Sequence, residues 1–213
     1  MRTTGWLAAG WLAAGRLAAV VMVGALASAQ PASAQASGPE YSADASMETS
    51  GGVMSGPAYF APGKERREYD MDGAKMINIT RRDKKVVWSL MPEDGMYTEM
   101  AMPASGGDES VAGYTFEHTR VGPETMNGMQ TNKSKIIMTA PNGDKLGGFM
   151  WATNDGIVVK IDAIAADKSS KERFKMELKN IQIGPQDKSL FEVPSNYVKM
   201  DMGGIGGIQN SRE

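Results

Sequence analysis

Between Lys64 and Met102 the chain reads as short apolar runs separated by charged turns, KERREYDMDGAKMINITRRDKKVVWSLMPEDGMYTEMAM. Glu68–Met71 and Met76–Thr80 flank Asp72-Gly73, and Val86–Met91 and Met96–Met102 flank Pro92-Glu93-Asp94-Gly95. Asp-Gly between apolar runs is a strong hairpin signal, because glycine takes a positive φ at no steric cost. A chain built this way is committed to antiparallel neighbours. The rest of the sequence repeats the pattern.

Tyr41, Ala43, Ala45 and Met47 alternate with Ser42, Asp44, Ser46 and Glu48, the period of a half-buried strand. Gly56–Phe60 forms a second extended segment ended by Pro62-Gly63, and Tyr114–Val121 a later one. Asn127-Gly128, Asn142-Gly143 and Asp155-Gly156 then punctuate strands over Thr131–Thr139, Lys145–Thr153 and Ile157–Ala165. In the last strand Phe174, Met176 and Leu178 share one phase, and Ile181 and Ile183 take the other. A one-residue phase change predicts a β-bulge near Lys179-Asn180. Asp187 is placed to cap a single helical turn through Phe191. No amphipathic helix of ten residues stands out beyond the first segment, so the expected fold class is mainly β, predominantly antiparallel with few or short helices.

Residues 1–34 read as a secretory signal peptide. Arg2 and Arg16 precede an apolar run from Leu17 to Ala27, and small-residue sites end at Ala29 and Ala34. Gly-Trp-Leu-Ala-Ala at 5–9 recurs at 10–14, and at 15–19 with Arg16 in place of Trp, which lengthens the leader without making a membrane span. Cleavage near Ala34 or Ala29 places the mature protein in the periplasm or outside the cell. Residues 35–40 are an expected disordered N-terminus, 41–200 the folded domain, 103–113 an exposed loop, and 201–213 a Gly-rich flexible tail. The net charge of −2 argues against nucleic acid, which needs a clustered positive field. With no cysteine there are no disulfides, thiolate ligands or lipidated Cys, so a core of ordinary size must hold the domain.

Several blocks resemble the DUF4412 family of exported bacterial proteins: Arg81-Arg82-Asp83 before Val87-Trp88-Ser89-Leu90-Met91-Pro92, then Tyr97-Thr98-Glu99-Met100. Glu124-Thr125-Met126-Asn127-Gly128 before Lys133 and Lys135, Met150-Trp151, and Leu190-Phe191-Glu192-Val193-Pro194 before Tyr197 resemble the wider LolA/LolB-like superfamily of periplasmic lipoprotein carriers. The resemblance covers roughly Tyr41 to Met200. It implies an unclosed half-barrel, a single strongly curved sheet around an apolar cavity that holds acyl chains in the carrier members. This chain differs from them in having no evident lid helices and no lipid-modified cysteine.

The chain is rich in methionine, with 17 residues. Met is a flexible gap-filler of cores and equally suits a surface that accepts variable apolar ligands. Trp88, Leu90, Met96, Met100, Met138, Trp151, Val159 and Ile161 are the candidate lining of an apolar cavity, with an irregular β core as the alternative for the same residues. A copper(I) thioether site needs clustered methionines, and Asp70-Met71-Asp72 and Met200-Asp201-Met202 do not supply a cluster, so no metal is expected. Arg81, Arg82, Lys84 and Lys85 are the candidate contact for an anionic headgroup or an envelope protein partner. His118 is the only histidine and no Gly-x-Ser-x-Gly occurs, so neither a catalytic residue nor a cofactor is expected. The expected function is non-enzymatic binding of a lipid or acyl ligand on the concave face. The rival is a structural or protein-interaction module with a self-filled core.

Overall fold

The computed structural model describes residues 38–71, 73–102, 115–140, 142–166 and 170–200. The expected leader at 1–34, the expected loop at 103–113 and the expected tail at 201–213 lie outside them, as do Asp72 and residues 167–169. The strands are β1 (Tyr41–Thr49), β2 (Gly52–Ala61), β3 (Lys64–Met71), β4 (Ala74–Arg81), β5 (Val86–Met91) and β6 (Met96–Ala101). They continue as β7 (Thr115–Met126), β8 (Met129–Thr139), β9 (Lys145–Ala152), β10 (Val158–Ala166), β11 (Lys171–Ile183) and the short β12 (Val198–Lys199). All twelve form one sheet in the order β12-β6-β5-β4-β3-β2-β1-β11-β10-β9-β8-β7. Two meanders, β1–β6 and β7–β11, therefore join through the β1–β11 pair, whose register runs from Tyr41 opposite Ile183 to Glu48 opposite Lys175.

Turn chemistry sets the registers. Asn127 (φ 50) and Gly128 (φ 78) both adopt left-handed backbone and connect Met126 to Met129 as a two-residue hairpin loop. Pro62 and Gly63 (φ 71) close β2 onto β3 as Pro-Gly does in a type II turn. The expected bulge is present. Asn180 sits at φ 51 and the β1–β11 register shifts between Ser42 and Asp44. Ile183 beyond it is 57% exposed and does not return to the core, a correction to its expected place in the apolar phase. The strand expected over Tyr114–Val121 continues to Met126, through Pro123. Proline is tolerated there because β7 is an edge strand with a register shift at Gly122.

Residues directly opposite one another in a sheet share a face, so the registers separate two faces. On one, Ala43, Ala45 and Met47 of β1 join Ala58, Ile136, Met138, Leu146, Ile161, Met176 and Leu178 in a single buried cluster. This is the inner, concave face. Glu65 and Arg67 of β3 share a cleft with Asp155 and Ile157 in the turn just before β10, four strands away, which flat strands at about 4.8 Å spacing would hold about 19 Å apart. The sheet is therefore open and strongly curled, and its curl covers much of its own inner face.

The second cluster lies on the outer face. Ile77 and Ile79 of β4 stand opposite Leu90 and Trp88 of β5, and Phe191 packs on them at 1% exposure with Leu190, Val193 and Tyr197 beside it. Phe191 ends a short 3-10 turn, Lys188–Phe191, whose first N–H groups are capped by Asp187. After β11 the chain crosses back over the outer face and pairs β12 in parallel with Met96–Tyr97 of β6. From β11 to β12 that crossing spans seven strand spacings, about 34 Å along the sheet. Residues 184–200 are a strap, the covering layer for one half of the sheet.

Gly148 of β9 shows how tightly the curled half packs. A Cβ there would lie 2.2 Å from the Asp162 carbonyl oxygen and 2.4 Å from Ala163 Cα, both backbone atoms of β10. Gly148→Ala should therefore destabilise the fold by about 1–3 kcal/mol. A lowered denaturation midpoint with unchanged slope would register this, and an unchanged midpoint would contradict the packing.

Candidate functional site

The sequence-predicted lining does not converge on one cavity. Met138, Val159 and Ile161 face inward but are 0–2% exposed within the self-filled cluster. Trp88 and Leu90 face outward under the strap. Trp151 is outward as well, since it stands opposite Lys160 whereas its neighbour Met150 stands opposite Ile161. It lies between Lys133 and Lys160, 4.8 and 5.0 Å from its ring. Its indole N–H has no partner at hydrogen-bonding geometry, yet it lies near enough to Glu124 to be the first cause holding that carboxyl below its usual range, with Lys133 adding to it. Met96 and Met100 face inward on β6, half-buried and 65% exposed respectively. Adjacent residues of one strand point to opposite faces, so a list that mixes both parities cannot line one pocket.

The basic run is divided in the same way. Arg81 is 4% exposed, and its guanidinium donates to Asp83 at 2.7 and 2.6 Å, to the Phe191 carbonyl at 2.9 Å, and to Glu192. Lys84 bonds the other Glu192 oxygen at 2.8 Å, and both cations lie over the Trp88 ring, at 5.9 and 5.2 Å. Arg66 donates to the Leu190 carbonyl at 3.1 Å. Arg81 and Lys84 thus clamp the strap and do not form an open contact surface. Arg82 turns to the inner side, where it joins the rim of the cleft, and Lys85 occupies the β4–β5 turn at φ 55. The strap's far end is tied by Lys199 to Glu99 at 2.7 Å, and Glu99 also accepts the Trp88 indole N–H at 2.9 Å.

Two inner-face features were missed from sequence. The first is a cleft of about 90 Å³ floored by Tyr41, Phe60, Ile157, Met176 and Leu178, with Lys64, Glu65, Arg82 and Asp155 at its edge. Tyr41 stacks on Phe60 at 4.3 Å, and Arg67, 7% exposed, lies 5.6 Å over the same ring while its Nε donates to Glu65. Burial pushes the Tyr41 phenol far up, and the Glu65 charge adds to this. Burial opposes the Arg67 charge, but Glu65 and the neighbouring phenols outweigh it and keep the guanidinium ionised. The only sequence signal was that both parities of Glu65-Arg66-Arg67-Glu68 are charged, which requires one charged pair on the concave side. The cleft accommodates a few waters but is smaller than the roughly 150 Å³ that holds a benzene ring.

The second feature is the inner face of β4–β6. Met76, Val87, Met91 and Met96 are half-buried there, Met100 is exposed, and none belongs to either hydrophobic cluster. Between them run Asn78, Ser89 and Thr98, opposite one another across the three strands. The Asn78 Oδ1 is buried without a partner. Among the described strand residues this is a mixed apolar and hydroxyl or amide surface with no carboxylate or histidine on it. Among the described residues, no group of three or more His, Cys, Asp or Glu is placed to hold a metal ion.

No family model matches the chain, DUF4412 included, and no curated protein matches it. Solved structures do. An uncharacterized conserved protein from Thermus thermophilus superposes with a TM-score of 0.53 at 10% identity, covering 86% of this chain and 99% of that one. The MucA/MucB complex of Pseudomonas aeruginosa gives 0.49 at 13% identity, covering 78% of this chain and 59% of the matched one. A LolA superfamily protein from Nitrosomonas europaea gives 0.40 at 8% identity, covering 79% and 96%. At 10% identity the Thermus likeness shows a shared fold and nothing of its chemistry. No helix among the described residues is long and apolar enough to cross a membrane.

The clamp makes strap docking depend on pH. Hydrogen bonding from Arg81 holds the Asp83 carboxyl below its usual range, and Lys84 followed by Arg81 does the same for Glu192. A carboxyl whose folded pKa is depressed contributes stability above its unfolded pKa, about 4, and loses it as pH falls through the folded value. Trp88 fluorescence should therefore report strap loosening as pH drops below about 4. The Asp83→Asn, Glu192→Gln double variant should flatten that dependence. A wild-type acid transition that survives unchanged in the double variant would rule out the clamp as its origin.

Proposed function

We propose that this is an exported, non-enzymatic binding protein that holds an apolar, lipid-like or acyl ligand against the inner face of β4–β6. The observation that carries the reading is the unequal covering of the sheet. Curl buries the inner face of β1 and β8–β11, the strap buries the outer face of β4 and β5, and Met76, Val87, Met91, Met96 and Met100 belong to neither cluster. Apolar surface that a folded domain leaves uncovered generally meets a partner, and methionine adapts to ligands of variable shape. The half-barrel resemblance, in which the carrier members bind acyl chains on this side of the sheet, supports the same assignment. The ligand would lie along the open half of the concave face, because the closed half is filled by its own side chains.

A protein-interaction module built on the Arg81–Lys85 run has less support, since Arg81 and Lys84 are engaged by Glu192 and the strap. Residues 1–34 are read as a leader removed in the mature protein, with 35–40 preceding the domain. N-terminal sequencing of protein from fractionated cells should begin near Gln35 or Gln30, and an intact Met1 in the membrane fraction would reverse this.

Protein purified from its own envelope should carry lipid detectable by native mass spectrometry, and the delipidated protein should take up a fluorescent fatty acid. Met100, at 65% exposure, can be charged without disturbing the core. Met100→Glu should weaken the probe by about tenfold or more, the cost of setting one uncompensated charge against an apolar chain. Protein that is ligand-free as isolated and also refuses the probe would sink the reading. Met138 is unsuitable for this test, because at 1% exposure a charge there would unfold the domain.

A further inference from the structure

The methionines of the inner face fall into two transverse rows with different surroundings. In one, Met54 of β2 stands opposite Met47 of β1, Met47 opposite Met176 of β11, and Met176 opposite Ile161 of β10, which is opposite Met150 of β9. Met47, Met176 and Met150 are 3–6% exposed, and all four methionines pack in the main cluster. They are packing residues. In the other row, Tyr69 of β3 stands opposite Met76 of β4, and Met91 of β5 opposite Met96 of β6. One step beyond the Ile77–Leu90 pair, the same antiparallel register brings Met76 opposite Met91. Met76, Met91 and Met96 thus stand side by side on three adjacent strands, half-buried and outside both clusters.

That row has the donor set of a soft-metal site. Opposed residues on neighbouring strands place their Cβ atoms about 4.5–5.5 Å apart. Met91 is central, with one methionine a single strand spacing away on each side, and three rotatable bonds let each thioether lean toward it. Thioether sulfur is neutral and soft, and it favours copper(I) over magnesium, calcium or zinc, which prefer oxygen or nitrogen and thiolate ligands. The immediate neighbours reinforce the preference. Tyr69 closes the row on one side, and Asn78, Ser89 and Thr98 form the next row, so among the described strand residues neither neighbour offers a carboxylate or imidazole to draw a harder ion. The chain has no cysteine and a single histidine, His118, on β7 at the opposite edge of the sheet.

We propose that Met76, Met91 and Met96 form a three-thioether site for a soft monovalent cation, copper(I), with silver(I) binding in the same way. The site goes beyond apolar ligand binding and does not rest on it. The sequence did not disclose it because the three methionines are 5 and 15 residues apart along the chain and only the hairpin registers bring them together.

Silver(I), which needs no reductant, is the probe. Titrating it in chloride-free buffer into protein labelled at the methionine methyls should shift the Met76, Met91 and Met96 resonances together and saturate at one equivalent. Zinc(II) should leave them in place. Thioethers carry no proton to displace, so the affinity should stay constant between about pH 5 and 8, unlike a site built on histidine or thiolate. The volume-conserving triple variant Met76→Leu, Met91→Leu, Met96→Leu should lose the tight equivalent, about a hundredfold or more in affinity. Met100→Glu, which targets the apolar probe, leaves the three sulfurs in place and should still bind silver, so the two assignments fail separately. Silver shifts falling on other methionines of the unmodified protein, or a triple variant that binds silver as the parent does, would overturn the site.

Discussion

A single sheet has two faces and no second layer, and most of this molecule's architecture answers that constraint. Layered domains bury a sheet against helices or another sheet. Here the only helical element among the described residues is one 3-10 turn. The inner face is closed over β1 and β8–β11 by curl, with the small residues Ala43, Ala45, Ala58 and Ala163 buried in the cluster and Gly148 set where the β10 backbone leaves no room for a Cβ. The outer face over β4 and β5 cannot be closed by the same curl, because curling toward one face opens the other. It is covered by the chain's own C-terminal strap, with Phe191 as the inserted side chain.

The strap itself depends on charge. Its short turn presents carbonyl groups at Leu190 and Phe191, and Arg66 and Arg81 of β3 and β4 donate to them. Cations at the C-terminal carbonyls of a helical turn are favoured by its dipole and its unsatisfied acceptors. Arg81 is the central group, because it also holds Asp83 in its own turn and Glu192 on the strap. A guanidinium can serve all of these at once, since its planar fork offers five donors, whereas a lysine could not reproduce the arrangement. An Arg-Arg-Asp run that reads in sequence as an open contact surface therefore supplies, through Arg81, the anchor of the outer layer.

Local chemistry was legible in the sequence and facial assignment was not. Asn127-Gly128, Asp187 and the phase change at Lys179-Asn180 each act within a few residues, and each is found where the sequence placed it. The antiparallel β class followed from their sum, and the expected curl came from the resemblance alone. Which residues share a surface depends on registers among distant strands and on apolar residues of both parities. In β4 Met76 and Ile77 are adjacent, and in β5 Val87, Trp88, Leu90 and Met91 occupy both phases. Alternation alone cannot say which phase is concave when each face has its own cover. Trp88 and Leu90 were therefore grouped with Met96 and Met100, although the sheet lies between them. The charge on both parities of Glu65–Glu68 required a charged pair on the concave side, but how Arg67 is compensated there, by Glu65 and the Phe60 ring, is decided by the fold.

The two methionine rows show how little residue type decides by itself. Met47, Met150 and Met176 lie where the sheet folds onto itself, and there a flexible unbranched side chain fills gaps between curved strands. Met76, Met91 and Met96 lie beyond the reach of both the curl and the strap. At such a position leucine or isoleucine would give more rigid apolar surface, and serine or threonine a better hydrated one. Methionine keeps a polarisable sulfur on this face while its methylenes cover the sheet, a compromise suited to something soft or variable in shape. The neighbouring polar row sharpens the point. Asn78, Ser89 and Thr98 interrupt the apolar surface between the methionine row and the Val87–Met100 pair, so an occupant of the open face is met by thioethers at one end and by alkyl contacts at the other.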